Sequence, residues 1–397
     1  MPGGNRYDFI SLQVDYWDSP WQNRHGFLWE LSKNSRVFFL SPPFYLVDLI
    51  RNRGSEKTKL HGFSTIKPNL YSYVPPRYLP YNYRFKKLDH AIAEIRNNEI
   101  QKRLKALKFE RPILIIWHPN YVDMIGKFKE DLVIYYKYDH YAGYVGGTGN
   151  IGPKEKKLLE KADMVLVTAQ GLYDLHKNDC KEIHVVPNGV DFEFYSKSLT
   201  DEITVPLDME AIPKPRIGYV GVINEKVDFK LLTYLCKARH DWSIVLVGPV
   251  RVQLPEFREH LGELRRQKNC YFLGQKENKQ VPSYIKGLDV CMMCYLINEW
   301  TYYGYPLKMH EYLACGKPSV SADLPEVRPY SNVVGIALSY EQWLDLIDQE
   351  LKHVNADSIS NRLNVAENNS WNARVNHVLT IINGKLENQN IRKQDSI

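Results

Sequence analysis

The chain has 397 residues, 44% of them apolar and 25% charged, which supplies sizeable cores and excludes a disordered polymer. At roughly 100–200 residues per domain, that length predicts two domains. Lys and Arg outnumber Asp and Glu by six, too small an excess to imply nucleic acid; it is concentrated in Arg51 to Glu110, which holds 14 basic and 5 acidic residues.

The N-terminus has no apolar stretch of the kind a secretion signal needs, and no run approaches the roughly 18 apolar residues of a membrane span. A cytoplasmic chain is the expectation. Six scattered cysteines suit a reducing compartment. Cys291 and Cys294 are closely spaced, but they lie in the apolar run Val290 to Tyr295 and read as a buried strand rather than a metal or redox pair.

Apolar runs alternate with turns and helical stretches from Tyr7 onward, the rhythm of βα units with a parallel sheet. Strands are predicted at 8–14, 36–40, 113–117, 132–136, 164–168 and 182–186. A long break rich in Pro and Tyr spans 59–84, followed by an exposed helix over 85–108. The stretch 198–214, with spaced prolines, reads as a linker. Beyond it, strands are predicted at 216–220, 243–247, 270–273, 290–294, 319–322 and 335–338, with helices at 229–238, 282–286 and 306–315. Residues 340–386 read as helical to the polar tail. Two open α/β domains of this kind would hold a ligand in a cleft at the C-terminal ends of their strands.

The most informative stretch is Tyr305 to Val320. Pro306 at a helix start, apolar Leu307, Tyr312 and Leu313, then Gly316 and Pro318 define a short helix running into a strand. Its free N-terminal amides favour an anion, and Lys308 in the first turn is disfavoured there unless an anionic ligand is present. Glu311 lies on the same face and suits a ribose diol. The alternative is a surface Lys–Glu pair at i,i+3. Gly221 closes the strand 216–220 and lets a ligand approach the backbone, with Lys226 in reach of a phosphate.

Gly147, Gly149 and Gly152 match GxGxxG literally, but the first glycine does not directly follow a strand, with nine residues from Asp139 to Gly147, both included, in between. A loop is favoured over a dinucleotide site. Asp139 and His140 end the strand 132–136 among tyrosines, where a carboxylate can act as a general base or simply cap a loop or pair with Lys137. His118 is a second strand-end candidate. The segment Asp15 to His25, with Trp17 and Arg24, suits either sugar stacking or packing.

With Pro306 to Val320 in view, the sequence resembles the GT-B glycosyltransferases, in particular the glycosyltransferase 4-like group that includes teichuronic-acid transferases and, more distantly, the xanthan glucuronosyltransferase. The resemblance runs through Trp17, Gln22 and Arg24, Tyr138-Asp139, 162–168, Pro187-Asn-Gly-Val-Asp191, Gly218 to Gly221, 245–249, 272–274, Asp289, and Pro306 to Ala314. It implies two Rossmann-like domains facing each other across a cleft: an acceptor domain, 1–199, rejoined by a C-terminal helix at about 370–390, and a donor domain, 200–369. It implies a metal-independent hexosyl- or glycuronosyltransferase without a cofactor, with a nucleoside-diphosphate sugar, UDP-linked by analogy, as donor. Lys308 would contact the pyrophosphate, Glu311 the ribose, and Gly221 and Lys226 the phosphates. Asp139 would be the catalytic base, with Trp17, Arg24, His118 and His140 on the acceptor side. The sequence departs from the broader group at Tyr303, where a glutamate is common, and at Val222, where an arginine is common.

The acceptor implied is a glycan or lipid-linked saccharide in cell-surface polysaccharide or glycoconjugate synthesis. The basic segment Arg51 to Glu110 would attach the protein peripherally to the anionic inner face of the cell membrane. Two other readings are a nucleotide-sugar epimerase of the same fold and, through that basic segment with Tyr71, Tyr73, Tyr78, Tyr81 and Tyr83, a nucleic-acid surface. The second is disfavoured, because the segment contains no nucleic-acid-binding module.

Overall fold

A computed structural model describes residues 7–46, 62–81, 86–140, 151–353 and 355–394. The chain forms two compact units, Met1–Val186 and Pro187–Ile397. The division falls before the expected linker because that linker is packed structure. Met209 and Ile212 are buried, and the Arg216 guanidinium donates to the carbonyls of Glu210, Ile212 and Gly287 at 2.8–3.2 Å. The last helix is counted with the second unit.

Among the described residues, the first unit is built on eight strands: β1 (Asp8–Leu12), β2 (Arg36–Leu40), β3 (Gly62–Lys67), β4 (Leu70–Val74), β5 (Ile113–Ile116), β6 (Leu132–Lys137), β7 (Met164–Val167) and β8 (Ile183–Val185). They lie in the order β3-β4-β2-β1-β5-β6-β7-β8, parallel except for the β3/β4 pair. That pair corrects the reading of 59–84 as an unbroken break. Pro68 and Asn69 make the turn, Asn69 adopting φ +66°, and Tyr71 and Tyr73 belong to a strand. Tyr73 is buried against Phe38, with ring centroids 6.0 Å apart, and Tyr71 packs on Phe63 and Phe109. These tyrosines are therefore packing residues of a strand inside the sheet, whereas Tyr78 is 77% exposed. The helix Lys86–Ala106 follows, with Ile100 and Leu104 buried. Residues 51–61 and 82–85 of the basic segment, including Tyr83, lie outside the described residues, as do Gly147 and Gly149.

In the second unit β9 (Arg216–Val220), β10 (Ser243–Val247), β11 (Cys270–Gly274), β12 (Val290–Met293), β13 (Ser319–Ala322) and β14 (Gly335–Ala337) form an all-parallel sheet ordered β11-β10-β9-β12-β13-β14. Both faces are covered, so successive side chains enter opposite cores: Val245 and Val247 join one apolar cluster, Ile244 and Leu246 the other. Cys291 and Cys294 are fully buried and unpaired, as the apolar run predicts, with burial pushing both thiols above the ordinary value. The predicted helical tail is three helices, Tyr340–Lys352, Ala356–Asn368 and Trp371–Gln394, the second capped by Asn355, whose side chain accepts from Ser358 N at 2.8 Å. Among the described residues, no helix is long and apolar enough to cross a membrane.

In each sheet the strand order reverses next to the first strand, between β1 and β5 and between β9 and β12. Such switch points are where open α/β sheets bind ligands.

Candidate active site

In the second unit, β9 and β10 end on glycines with positive φ, Gly221 at +148° and Gly248 at +145°. Both are imposed by close approach. A Cβ on Gly248 would stand 2.0 Å from Gly221 O, and one on Gly221 would stand 2.1 Å from Lys308 Cε and 2.5 Å from its Nζ. Lys308 thus lies on the bare Gly221 backbone, bringing together two residues that the sequence offers far apart.

Lys308 comes from the helix Leu307–Ala314. Pro306 occupies its N-cap position and supplies no side-chain acceptor; Met309 N donates to the Pro306 carbonyl at 3.3 Å, and the amides of Leu307 and Lys308 gain no cap from Pro306. Tyr312 fixes the helix on β9: its buried hydroxyl accepts from Val220 N at 2.9 Å. His310, also fully buried, meets Tyr305 at 2.6 Å. Tyr305 in turn meets the Tyr330 hydroxyl at 2.9 Å, and that hydroxyl donates to Asn369 Oδ1 at 3.1 Å. Burial, reinforced by Arg374, pushes the His310 imidazole down to about 3, so it serves as a neutral link.

Burial works against the Lys308 charge, but Tyr295 and Glu311 outweigh it and hold the ammonium above the ordinary lysine value. Burial pushes the Glu311 carboxyl up, opposed by Lys308 and by a hydrogen bond from the Tyr195 hydroxyl. Glu311 is therefore no exposed partner in a surface pair. Lys226 follows the Gly221 turn and lies over the Trp300 ring, its Nζ 4.0 Å from the centroid. Its carbonyl accepts from Leu296 N at 2.8 Å, tying the loop after β9 to the segment after β12.

Pro187 to Asp191 supports this arrangement from behind. Asn188 donates to the Tyr305 carbonyl, just ahead of the helix, at 3.3 Å. Gly189 passes so close to Trp371 that a Cβ would meet its backbone N at 2.8 Å. Asp191 caps the helix Phe192–Ser196, which carries Tyr195 to Glu311. Tyr195, Tyr295 and Tyr312 were not anticipated as site residues. The capping Asp191 was the one available signal, since it announces the helix that delivers Tyr195.

In the first unit the candidates gather at the C-terminal ends of β1, β5 and β6, which are neighbours in the sheet. Arg24 is 1% exposed, donates to Asp15 Oδ2 at 2.7 Å and lies 4.8 Å over the Tyr138 ring. His118 caps a short helix after β5, its Nδ1 accepting from Asn120 N at 3.2 Å. Burial pushes its imidazole down to about 4; Glu155 opposes this, while Lys154 and Arg24 reinforce it. Asp139 follows β6 and accepts from His140 N at 3.0 Å; His140 itself is buried. Trp17 is part of an aromatic cluster, with ring centroids 5.2 Å from both His25 and Phe39 and 6.4 Å from Trp29, so packing occupies much of it.

Lys137 takes Glu155 as its buried ion-pair partner. It is fully buried, donates to Glu155 Oε1 at 2.6 Å and lies 2.9 Å from His176 Nε2, and Tyr135 donates to the same Glu155 oxygen. A lysine ending a strongly apolar strand was the signal for this network.

Residues 214–349 match the family described as Glycosyl transferases group 1. They include the Gly221 turn, Lys226 and the Lys308 helix. That region of the chain is similar to the group 1 glycosyltransferases. It is 28% identical, over 243 residues, to TuaH of Bacillus subtilis (strain 168), a protein named as a teichuronic acid biosynthesis glycosyltransferase. That match spans 56% of this chain and 59% of the relative's own length. The fold is shared with sucrose-phosphate synthase from Thermosynechococcus elongatus (TM-score 0.62, 14% identity, 98% of this chain and 100% of that one). It is also shared with Anabaena HepE in complex with UDP and glucose (TM-score 0.63, 12% identity, 96% and 100%). The group 1 match lies wholly within the second unit, where the glycine-ended strands and the Lys308 helix stand.

Proposed function

We propose that this chain is a group 1 glycosyltransferase that moves a sugar from a nucleoside diphosphate, UDP being favoured, to a hydroxyl of a glycan or lipid-linked saccharide used in cell-surface polysaccharide or glycoconjugate synthesis. The observation that carries this reading is Lys308 lying on the bare backbone of Gly221, beside the N-terminus of its own helix. A pyrophosphate there would meet amide donors and a fixed cation, which is preorganised stabilisation of a leaving group that gains charge as the glycosidic bond breaks. Glu311, oriented by Tyr195, would accept the two ribose hydroxyls. The solved HepE complex with UDP and glucose and the teichuronic acid relative support the choice of donor and of acceptor class.

Asp139 is the proposed base that takes the acceptor proton. Attack from the face opposite the leaving group then inverts the anomeric carbon. Arg24, Trp17, His118 and His140 are the proposed acceptor-side residues. A cytoplasmic chain held at the inner membrane face by its basic segment would place this chemistry beside a lipid-linked acceptor.

A thermal-shift and calorimetric panel of UDP, GDP, ADP and their sugars tests the donor assignment. UDP and UDP-sugars should raise the unfolding temperature most; a chain stabilised by none of them would overturn the assignment. Product analysis with and without added acceptor separates transfer from epimerisation.

A further inference from the structure

The second unit contains a cavity of about 680 Å³ at the edge of its sheet remote from Gly221. Its lining includes Lys214 and Pro215, which precede β9, Asp289, which precedes β12, and Lys317 and Pro318, which precede β13. The Gly221 turn lies at the other end of β9, five residues and roughly 16 Å away at strand rise. Catalytic use of the sheet's C-terminal edge leaves this cavity unassigned.

Three lysines and one carboxylate line it. Lys317 is pinned at the end of the helix Val281–Lys286, donating to the carbonyls of Lys286 at 2.8 Å and Leu288 at 2.6 Å. Lys286 donates to Thr200 O at 2.8 Å, and Lys214 lies 3.4 Å from Asp289. The lining therefore carries two more positive charges than negative ones. A further cation, Arg362, is 4% exposed one turn on from the lining residue Ile359. Its Nη2 donates to Glu350 at 2.7 Å, while its buried Nε and Nη1 have no hydrogen-bond partner among the described residues. Burial pushes the Lys317 ammonium below its ordinary value, as expected of a cation whose compensation is incomplete. Apart from Ser198, the remaining side chains of the wall are apolar or Cys315, with Leu199, Leu351 and Ile359 among them. A volume in the range of small-molecule sites, apolar walls and a surplus of fixed cations together describe an amphiphilic anion.

We propose that this cavity is a second ligand site, which takes a phosphate monoester bearing an apolar group, its head on Lys214, Lys286 and Lys317 and its body against Leu199, Leu351 and Ile359. Such an ester has close to two negative charges at neutral pH and matches the surplus in the lining. The ligand comes either as a soluble ester or as a lipid headgroup. The site is independent of the nucleotide assignment, because it uses none of the residues around Gly221.

Calorimetry of the full chain with octyl phosphate and with inorganic phosphate, alongside co-sedimentation with phosphatidylcholine vesicles with and without phosphatidic acid, tests the proposal. Octyl phosphate should bind and inorganic phosphate should bind more weakly. The double variant K214Q/K286Q should lose affinity about tenfold, in line with removal of charge-assisted contacts. I359E, which places a carboxylate in the apolar wall, should lose it as well. Lys308→Ala should bind octyl phosphate as the wild type does. Vesicle recruitment that K214Q/K286Q abolishes assigns the lipid source; octyl phosphate binding without recruitment assigns the soluble one. Absence of octyl phosphate binding, full retention in both cavity variants, or displacement by UDP would overturn the proposal.

Discussion

The two sheets end differently. In the second unit, β9 and β10 finish on Gly221 and Gly248, and what lies over them is backbone and one lysine stem. In the first unit, β5 and β6 run into Trp117-His118 and Lys137-Tyr138-Asp139, crowded with rings, ion pairs and titratable groups. Bare strand ends leave room for phosphates and supply amide donors and a fixed cation. Side-chain-rich ends supply proton acceptors and aromatic faces but little open backbone. On the proposed function, donor binding falls to the first kind of end and acceptor chemistry to the second, so substitutions at the two kinds of strand end should have different kinetic consequences.

The largest effect is expected at the side-chain-rich end. Asp139→Asn should lower kcat by about 10²–10⁴-fold, the usual contribution of a general base, with donor affinity unchanged in calorimetry. Lys308→Ala should instead raise the donor Kd about 10- to 150-fold, the equivalent of about 1.5–3 kcal/mol for a charged hydrogen bond. Gly221→Ala puts a methyl where Lys308 now lies and strains a backbone at φ +148°, so a weakening of donor binding by about tenfold is expected on titration, consistent with overpacking costs of 1–3 kcal/mol.

A smaller effect concerns pH. His118 is held down to about 4 in the folded chain, below its ordinary value of 6.5, so the unfolded chain takes up the proton first on acidification. The stability this histidine contributes is present above about pH 6.5 and is lost as the pH falls toward 4. His118→Asn can retain the cap through its side-chain oxygen and should flatten that slope, which denaturation at pH 7 and pH 5 would reveal as a melting difference of a few degrees. An unchanged slope would mean that His118 is not held below its ordinary value in the folded chain.

Most of the fold was legible because a parallel sheet covered on both faces writes its strands as continuous apolar runs; all six strands of the second unit fall where those runs stand. What escaped was structure written in other residues. The β3–β4 hairpin alternates rather than runs, and its prolines and tyrosines read as loop, although Pro68-Asn69 is an ordinary turn. The stretch 198–214 looked loose because its anchors are single residues, Met209 and Ile212, among polar ones. The tail reads simply as helical, its internal breaks unmarked, because Asn355 and Ser370 interrupt it without a proline.

The site was legible in the same uneven way. A helix-start proline and a strand-end glycine single out Lys308, Glu311 and Gly221 as candidates, but only the adjacency of β9 and β12 explains why the lysine stem needs the glycine. Tyr195 and Tyr312, which orient Glu311 and seat the helix, carry no local mark as site residues. The Lys137–Glu155–His176 network joins β6 to two helices that follow it in the chain, and spacing alone does not reveal such a meeting.

The division between the two kinds of strand end is tested most directly by calorimetry of UDP with three forms of the full chain: wild type, Asp139→Asn and Lys308→Ala. The account predicts that Asp139→Asn binds UDP as the wild type does, while Lys308→Ala binds it at least about tenfold more weakly. Equal loss in the two variants, or wild-type affinity in Lys308→Ala, would contradict it.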